Sequence, residues 1–188
     1  MILSDKDILD AIREGEIKIT PLVQEHIQPA SVDLTLAPTI RRFNTPNTRI
    51  VDVTSKQDLT QVVDVGEDGI ILIRPGDFIL GSTTERVCLP SYLIARIDGR
   101  SSLARLGLIV QAAASYAAPG FSGHLTLEMI NLSKYTLKLH AGMRIAQVYF
   151  EVLSSSVIHP YGSPELGSKY QNQTKPTASR IWKEFEKR

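Results

Sequence analysis

Ser31-Val32-Asp33-Leu34-Thr35-Leu36 alternates polar and apolar side chains, the two-residue period of a strand with one face in a core and the other toward solvent. Upstream, beyond Pro21, lies one helical signature. Ser4 stands three residues before Asp7 as a cap with its acid partner, Ile8, Leu9, Ala11 and Ile12 form a stripe, and Gly15 can close the helix. Downstream, short apolar runs recur at 50–53, 61–65, 70–73, 78–80, 93–97, 125–132, 135–139 and 145–152, separated by turn residues such as Gly66-Glu67-Asp68-Gly69 and Pro75-Gly76-Asp77. Many short strands at this spacing predict an all-β sandwich or barrel. Residues 1–160 show no repeat and no second composition zone, and read as a single β domain. Residues 161–188 turn polar, rich in Gly, Ser, Lys and Gln, and read as a tail that is ordered only where something holds it.

The 188 residues, 43% hydrophobic and 22% charged, suffice for one domain with a proper core and argue against wholesale disorder. Lys plus Arg number 21 and Asp plus Glu 20, a net charge of +1, which argues against a protein that coats nucleic acid. The single cysteine, Cys88, cannot form an internal disulfide and excludes Cys-rich zinc sites, so a reduced cytoplasmic setting is expected. The opening Met1-Ile2-Leu3-Ser4-Asp5-Lys6-Asp7 puts acids where a signal peptide needs a basic and then an apolar run. Residues 106–127 carry no Asp, Glu, Lys or Arg and are long enough to span a bilayer. Pro119-Gly120 and several polar residues interrupt them, so they are expected in the protein interior, and no membrane partner is expected.

Three segments can carry chemistry. In Asp98-Gly99-Arg100-Ser101-Ser102-Leu103-Ala104-Arg105-Leu106-Gly107, Gly99 allows a turn and Ser101 or Ser102 can cap a short helix. Arg100, the hydroxyls and exposed amides there suit a phosphate. The same residues also describe an ordinary capped helix with two solvated arginines. In Gly123-His124-Leu125-Thr126-Leu127-Glu128-Met129, strand alternation puts Leu125, Leu127 and Met129 on one face and Thr126, Glu128 and Ile130 on the other. Glu128 reads either as a solvated surface carboxylate or as one partly desolvated by apolar neighbours and so suited to proton transfer near neutrality. The uncharged stretch before it favours the second reading. In the tail, Tyr161 and Gly167-Ser168-Lys169-Tyr170-Gln171-Asn172-Gln173 could close over a polyanionic ligand, and equally could be a plain disordered tail.

Together these segments resemble the dCTP deaminase family. The resemblance lies in Gly99 to Gly107, in Pro119-Gly120-Phe121-Ser122-Gly123 with Leu127-Glu128, and in Ser168-Lys169-Tyr170-Gln171-Asn172-Gln173. It extends to the opening Met1 to Ile8 and to Gln28-Pro29-Ala30-Ser31-Val32-Asp33-Leu34, and so runs nearly end to end in order. The tail Gly162-Ser163-Pro164 and Gly167-Ser168-Lys169 resembles the bifunctional, dUMP-forming branch in particular.

The resemblance implies a dUTPase-like distorted β-barrel or jelly roll with a short N-terminal helix and a closing C-terminal tail. It also implies a homotrimer whose sites are shared between neighbouring subunits. The reaction would be hydrolysis of the 4-amino group of dCTP, bound as its magnesium complex, with dUTP or dTTP as product or inhibitor. No zinc and no metal ligand from protein side chains is expected, since the chain lacks the H-x-E and P-C-x-x-C pair of zinc deaminases. By position, Glu128 would be the general base and acid. Ser101 and the Ala114 carbonyl would orient the water, and Arg105 would organise the site. Arg100, Ser101, Ser102, Leu103, Ala104 and Arg105 would meet the phosphates, and Ala118, Thr126, Leu127, Gln147, Tyr161, Lys169 and Gln173 the rest of the nucleotide. Ser115 and Tyr116 would mark the branch. Ala113 stands where the family usually has threonine, and Ala118 where it has the aspartate that meets the sugar and places the water for triphosphate cleavage. The expectation is therefore deamination to dUTP and ammonia. The alternatives are a bifunctional enzyme releasing dUMP and pyrophosphate, a plain dUTPase, and a nucleotide binder that has lost the chemistry.

Overall fold

Residues 1–44, 50–57 and 59–186 are described by the computed structural model. Helix α1 (Asp5–Arg13) begins where the sequence says. The Ser4 hydroxyl accepts the Asp7 amide, the Asp7 carboxylate accepts the Ser4 amide, and Gly15 follows the helix with φ 77°. Ile8 and Ala11 supply its buried stripe.

Strands make up most of the remaining regular structure: β1 (Lys18–Thr20), β2 (Ile27–Gln28), β3 (Ser31–Thr35), β4 (Thr39–Phe43), β5 (Thr60–Asp64), β6 (Ile70–Ile73), β7 (Phe78–Cys88) and β8 (Leu93–Gly99). The short helix α2 (Ser101–Ala104) follows, and then β9 (Leu108–Ile109), β10 (Tyr116–Ala117), β11 (Ser122–Asn131), β12 (Leu137–His140) and β13 (Arg144–Val152). One sheet runs β5-β4-β7-β11-β9 with β1 on the end of β7, the other runs β10-β8-β13-β3-β2, and β6 pairs with β12 apart from both. The apolar faces of the two large sheets share one core that includes Val32, Leu34, Leu127, Met129, Val148 and Phe150. The result is the expected all-β, jelly-roll-like fold, with two sheets and no closed barrel among the described residues.

The departures have physical causes. The run at 50–53 forms no strand: Ile50, Val51 and Val53 are exposed and lie outside regular structure. The run at 78–80 is only the start of the eleven-residue β7. Its continuation is polar, yet Ser82, Thr83 and Glu85 are buried. Their needs are met internally, since the Thr83 hydroxyl donates to the Glu85 carbonyl and the Glu85 carboxylate accepts the amide and hydroxyl of Thr35. β3, expected to be half-buried, is enclosed on both faces: Asp33 is 3% exposed although Val32 and Leu34 occupy the core side. Residues 106–127 are not uniformly interior either. Leu108, Val110, Leu125 and Leu127 are buried, whereas Leu106 and Tyr116 are more than half exposed. No helix among the described residues is long and apolar enough to cross a membrane.

Candidate active site

The alternation read in β11 is what the structure shows. Leu125, Leu127 and Met129 enter the core, and Thr126, Glu128 and Ile130 lie half-buried opposite them. A loop from Gln111 to Ala114 crosses over Glu128 and ties it down. The Gln111 side chain accepts the Glu128 amide at 3.3 Å and donates to the Ala114 carbonyl at 2.9 Å, and the Ala112 amide donates to the Glu128 carbonyl at 3.1 Å. The amides of Ala113 and Ala114 donate to Oε2 of the Glu128 carboxylate at 3.1 and 3.4 Å. Glu128 is thus half-buried in a cavity with apolar walls, and backbone amides orient its carboxylate. Oε2 is engaged, while Oε1 has no hydrogen-bond partner among the described residues. The Ala114 carbonyl keeps a second lone pair for a further donor.

Glu128 lines a cavity of about 750 Å³ together with Thr126, Ala114, Tyr116 and Ala118, a volume in the range of small-molecule sites. The tail closes one side with Tyr161, Tyr170, Gln173, residues 177–179, Ile181 and Trp182, and Phe43, Phe78, Val51 and Val53 form an apolar outer wall. The tail is ordered because specific bonds hold it. The Gln171 amide group donates to the carbonyls of Gly120 and Tyr161 and accepts the Ser122 amide. Asn172 N–H donates to the Ser122 carbonyl, His124 N–H donates to the Gln173 carbonyl, and Gln173 Nε2 donates to the His124 carbonyl. Gly123, at φ 155°, permits this approach, because a Cβ there would lie 3.1 Å from the Gln173 nitrogen.

The phosphate-type segment lies elsewhere in the chain. None of Arg100, Ser101, Ser102, Leu103, Ala104 and Arg105 lines the cavity that holds Glu128. The residue preceding α2 as its cap is Arg100, and no side chain caps the helix, which corrects the expected Ser101 or Ser102 cap. Gly99 is not in a left-handed turn: its role is close packing, since a Cβ would meet the Val110 Cβ at 3.1 Å. Ser101, Ser102 and Arg105 are exposed, and Leu103 packs into the core. Ala104 and Gln147 line a second hollow of about 410 Å³ with Asp98 and Gly99, and Gln111 borders both hollows.

Of the remaining sequence-derived residues, Leu127 is wholly buried behind the cavity, and the Ser115 carbonyl accepts the Ile97 amide. Lys169 does not line the cavity: its ammonium is paired with Glu184, a hydrogen bond that raises its pKa above the usual lysine value. The structure thus gathers Ala114, Tyr116, Ala118, Thr126, Glu128, Tyr161 and Gln173 around one space and leaves the arginine–serine segment, Gln147 and Lys169 outside it. Sequence reasoning passed over Gln111, the 51–57 wall, Tyr170 and Trp182. Gln111 had one signal, as the lone amide side chain in the alanine-rich run 111–118.

Comparison with known proteins places the chain in a family. Residues 2–153 match the dCTP deaminase-like family model. The chain is 46% identical over 185 residues to the dUMP-forming dCTP deaminase of Dictyoglomus thermophilum, covering 96% of this chain and 95% of that one. It is 44% identical over 186 residues to the enzyme of the same name from a Nocardioides species, covering 98% and 97%. The dCTP deaminase structure from Agrobacterium tumefaciens superposes on 80% of this chain with a TM-score of 0.62 and 24% identity, and this chain spans 47% of that longer one. The fold is thus the one adopted by a deaminase of deoxynucleotides. The chain belongs to the dCTP deaminase-like family.

Proposed function

We propose that this protein hydrolyses the exocyclic 4-amino group of dCTP, presented as its magnesium complex, to give dUTP and ammonia. The observation that carries this reading is Glu128, with one carboxylate oxygen fixed by the Ala113 and Ala114 amides, on the wall of a nucleoside-sized cavity. In this reading Glu128 takes a proton from water as the water oxygen bonds to C4 of cytosine, and passes it to the ring nitrogen. After a second transfer protonates the amine, the C4–N4 bond breaks and ammonia leaves. The Ala114 carbonyl and a Ser101 hydroxyl orient the water. Because Arg100, Ser101, Ser102 and Arg105 lie outside the Glu128 cavity of their own chain, a complete site would pair one chain's arginine–serine segment with its neighbour's Glu128 in a homotrimer. The single free cysteine, Cys88, suits a cytoplasmic setting.

Ala118 on the cavity wall supports release of dUTP, since a methyl group cannot hold a water for attack on the triphosphate. A second reading, onward cleavage to dUMP and pyrophosphate, is favoured by the names of the relatives at 44–46% identity. Incubation with dCTP and magnesium, followed by anion-exchange separation, decides between them. Accumulating dUTP supports the first reading, dUMP with pyrophosphate supports the second, and bound but unchanged dCTP refutes both.

A further inference from the structure

Asp33 and Arg144 take no part in the chemistry described so far, yet they lie against the arginine–serine segment. The Asp33 side chain is 3% exposed, and both its ion pairs are made through Oδ2. Arg100 Nε lies 3.4 Å away and Arg144 Nη1 3.2 Å away, and both arginine side chains stay partly open, at 32% and 41%. A buried carboxylate with one cation would form a closed pair. With two, Asp33, Arg100 and Arg144 together sum to one positive charge, and the exposed Asp98 lies across Gln147 from Asp33.

The backbone explains how Arg144 comes there. β13 pairs with β3 in the register Arg144↔Thr35, Ala146↔Leu34 and Gln147↔Asp33, with a break between Arg144 and Ala146. Two steps on β13 match one on β3, as in a β-bulge. Arg144 and Gln147, three residues apart, therefore face the same side, opposite alternate residues of β3, while Ile145 and Ala146 are both wholly buried. Without the extra residue the alternation would turn Arg144 away from Asp33. The same face carries Gln147 into the second hollow beside Ala104.

We propose that Asp33 and Arg144 are positioning residues for Arg100: the buried carboxylate fixes the Nε edge of the Arg100 guanidinium, Arg144 balances the buried charge, and the outer edge of Arg100 is presented to nucleotide phosphate. This rests on the reading of Arg100 as a phosphate contact. Arg144 Nη1 donates a hydrogen bond to the Asp33 carboxylate, and Arg100 is drawn to the same oxygen by a single ion pair from Nε, which reduces the freedom that would otherwise oppose binding through its outer edge.

The test is a double-mutant cycle on the full chain, with affinity measured for dCTP, dCMP and deoxycytidine. Arg100→Ala should weaken dCTP binding and barely affect deoxycytidine. Asp33→Asn should weaken dCTP binding about tenfold, with a smaller effect on dCMP and little on deoxycytidine, and should add almost nothing in the Arg100→Ala background. Arg144→Gln, at a half-exposed position that tolerates change, should behave the same way with a smaller effect, and it carries the test should Asp33→Asn fail to fold. Additive losses in the Arg100→Ala background would overturn the proposal and make Arg144 a direct phosphate ligand. Equal losses for all three ligands would reduce the cluster to a fold support. If Arg100→Ala itself leaves dCTP binding unchanged, the phosphate role of Arg100 fails first and the positioning role with it.

Discussion

Two regions of the chain, the Glu128 wall and the Arg100–Arg105 segment, are built to opposite plans. Around Glu128 the protein has already satisfied its own groups: the loop from Gln111 to Ala114 is laced to β11 through side chain and backbone, and the tail is bonded to its start. Around α2, the hydroxyls of Ser101 and Ser102 and the Arg105 guanidinium have no hydrogen-bond partner among the described residues, and Arg100 is held from beneath only. If Glu128 carries protons as proposed, its wall gains from rigidity. A segment that must grip a charged ligand gains from donors left unspent until the ligand arrives. The difference also says that the two regions should fail differently when changed.

The sharpest break comes from Glu128→Gln. It keeps the shape and the amide contacts but removes the base, so turnover should fall about 10² to 10⁴-fold while dCTP still binds. Single-turnover kinetics beside a binding isotherm would show this, and activity within a few-fold of the parent would end the assignment. On the other side of the comparison, Arg105→Ala should weaken dCTP binding by about 10 to 100-fold, the value of a charge-assisted hydrogen bond, and spare deoxycytidine. Equal losses for both ligands would make Arg105 a structural residue.

Two smaller effects sharpen the contrast within the cavity. Truncation before Gly167 removes the bonds from Gln171 and Gln173 and should raise the KM for dCTP about 3 to 10-fold with the β domain still folded by circular dichroism. In the intact chain, dCTP should slow protease cleavage near Gly167, and no protection would refute a closing role. Ala118→Asp restores a carboxylate to the cavity wall and should raise turnover about fivefold, roughly one net hydrogen bond. The same variant, combined with Ala113→Thr, should shift product from dUTP toward dUMP on an anion-exchange column.

What the sequence made legible follows from what periodicity can carry. The α1 boundaries and the inward face of β11 could be read because a capping box and an alternating strand leave their mark in neighbouring residues. The buried polar half of β7 and the enclosed Asp33 could not, because their burial depends on Thr35, Arg100 and Arg144 reaching them from distant strands. The run at 50–53 looked like a strand because apolar side chains that wall a cavity and those that pair in a sheet have the same composition. Family resemblance supplied Glu128 as a base and Arg105 as a phosphate contact. It also implied sites shared between subunits, with which the position of Arg105 outside the Glu128 cavity is consistent, but it did not indicate that Lys169 would be paired with Glu184.

The join between residues 171–173 and the start of β11 is made almost wholly of amide groups, from backbone and from the side chains of Gln171 and Gln173. Parting it wets peptide groups and little oily surface. The heat-capacity increase of unfolding comes from newly wetted apolar area, whereas the denaturant dependence grows with the total area exposed, peptide groups included. Opening of this join should therefore carry almost no heat-capacity increase and, because so little area is exposed, only a shallow denaturant dependence. Deuterium uptake at the His124 and Asn172 amides should proceed through a small fluctuation whose free energy changes little in dilute urea, while amides under Leu127 and Phe150 respond to every increment. A closure fastened in this way works much the same in a cold cell as in a warm one.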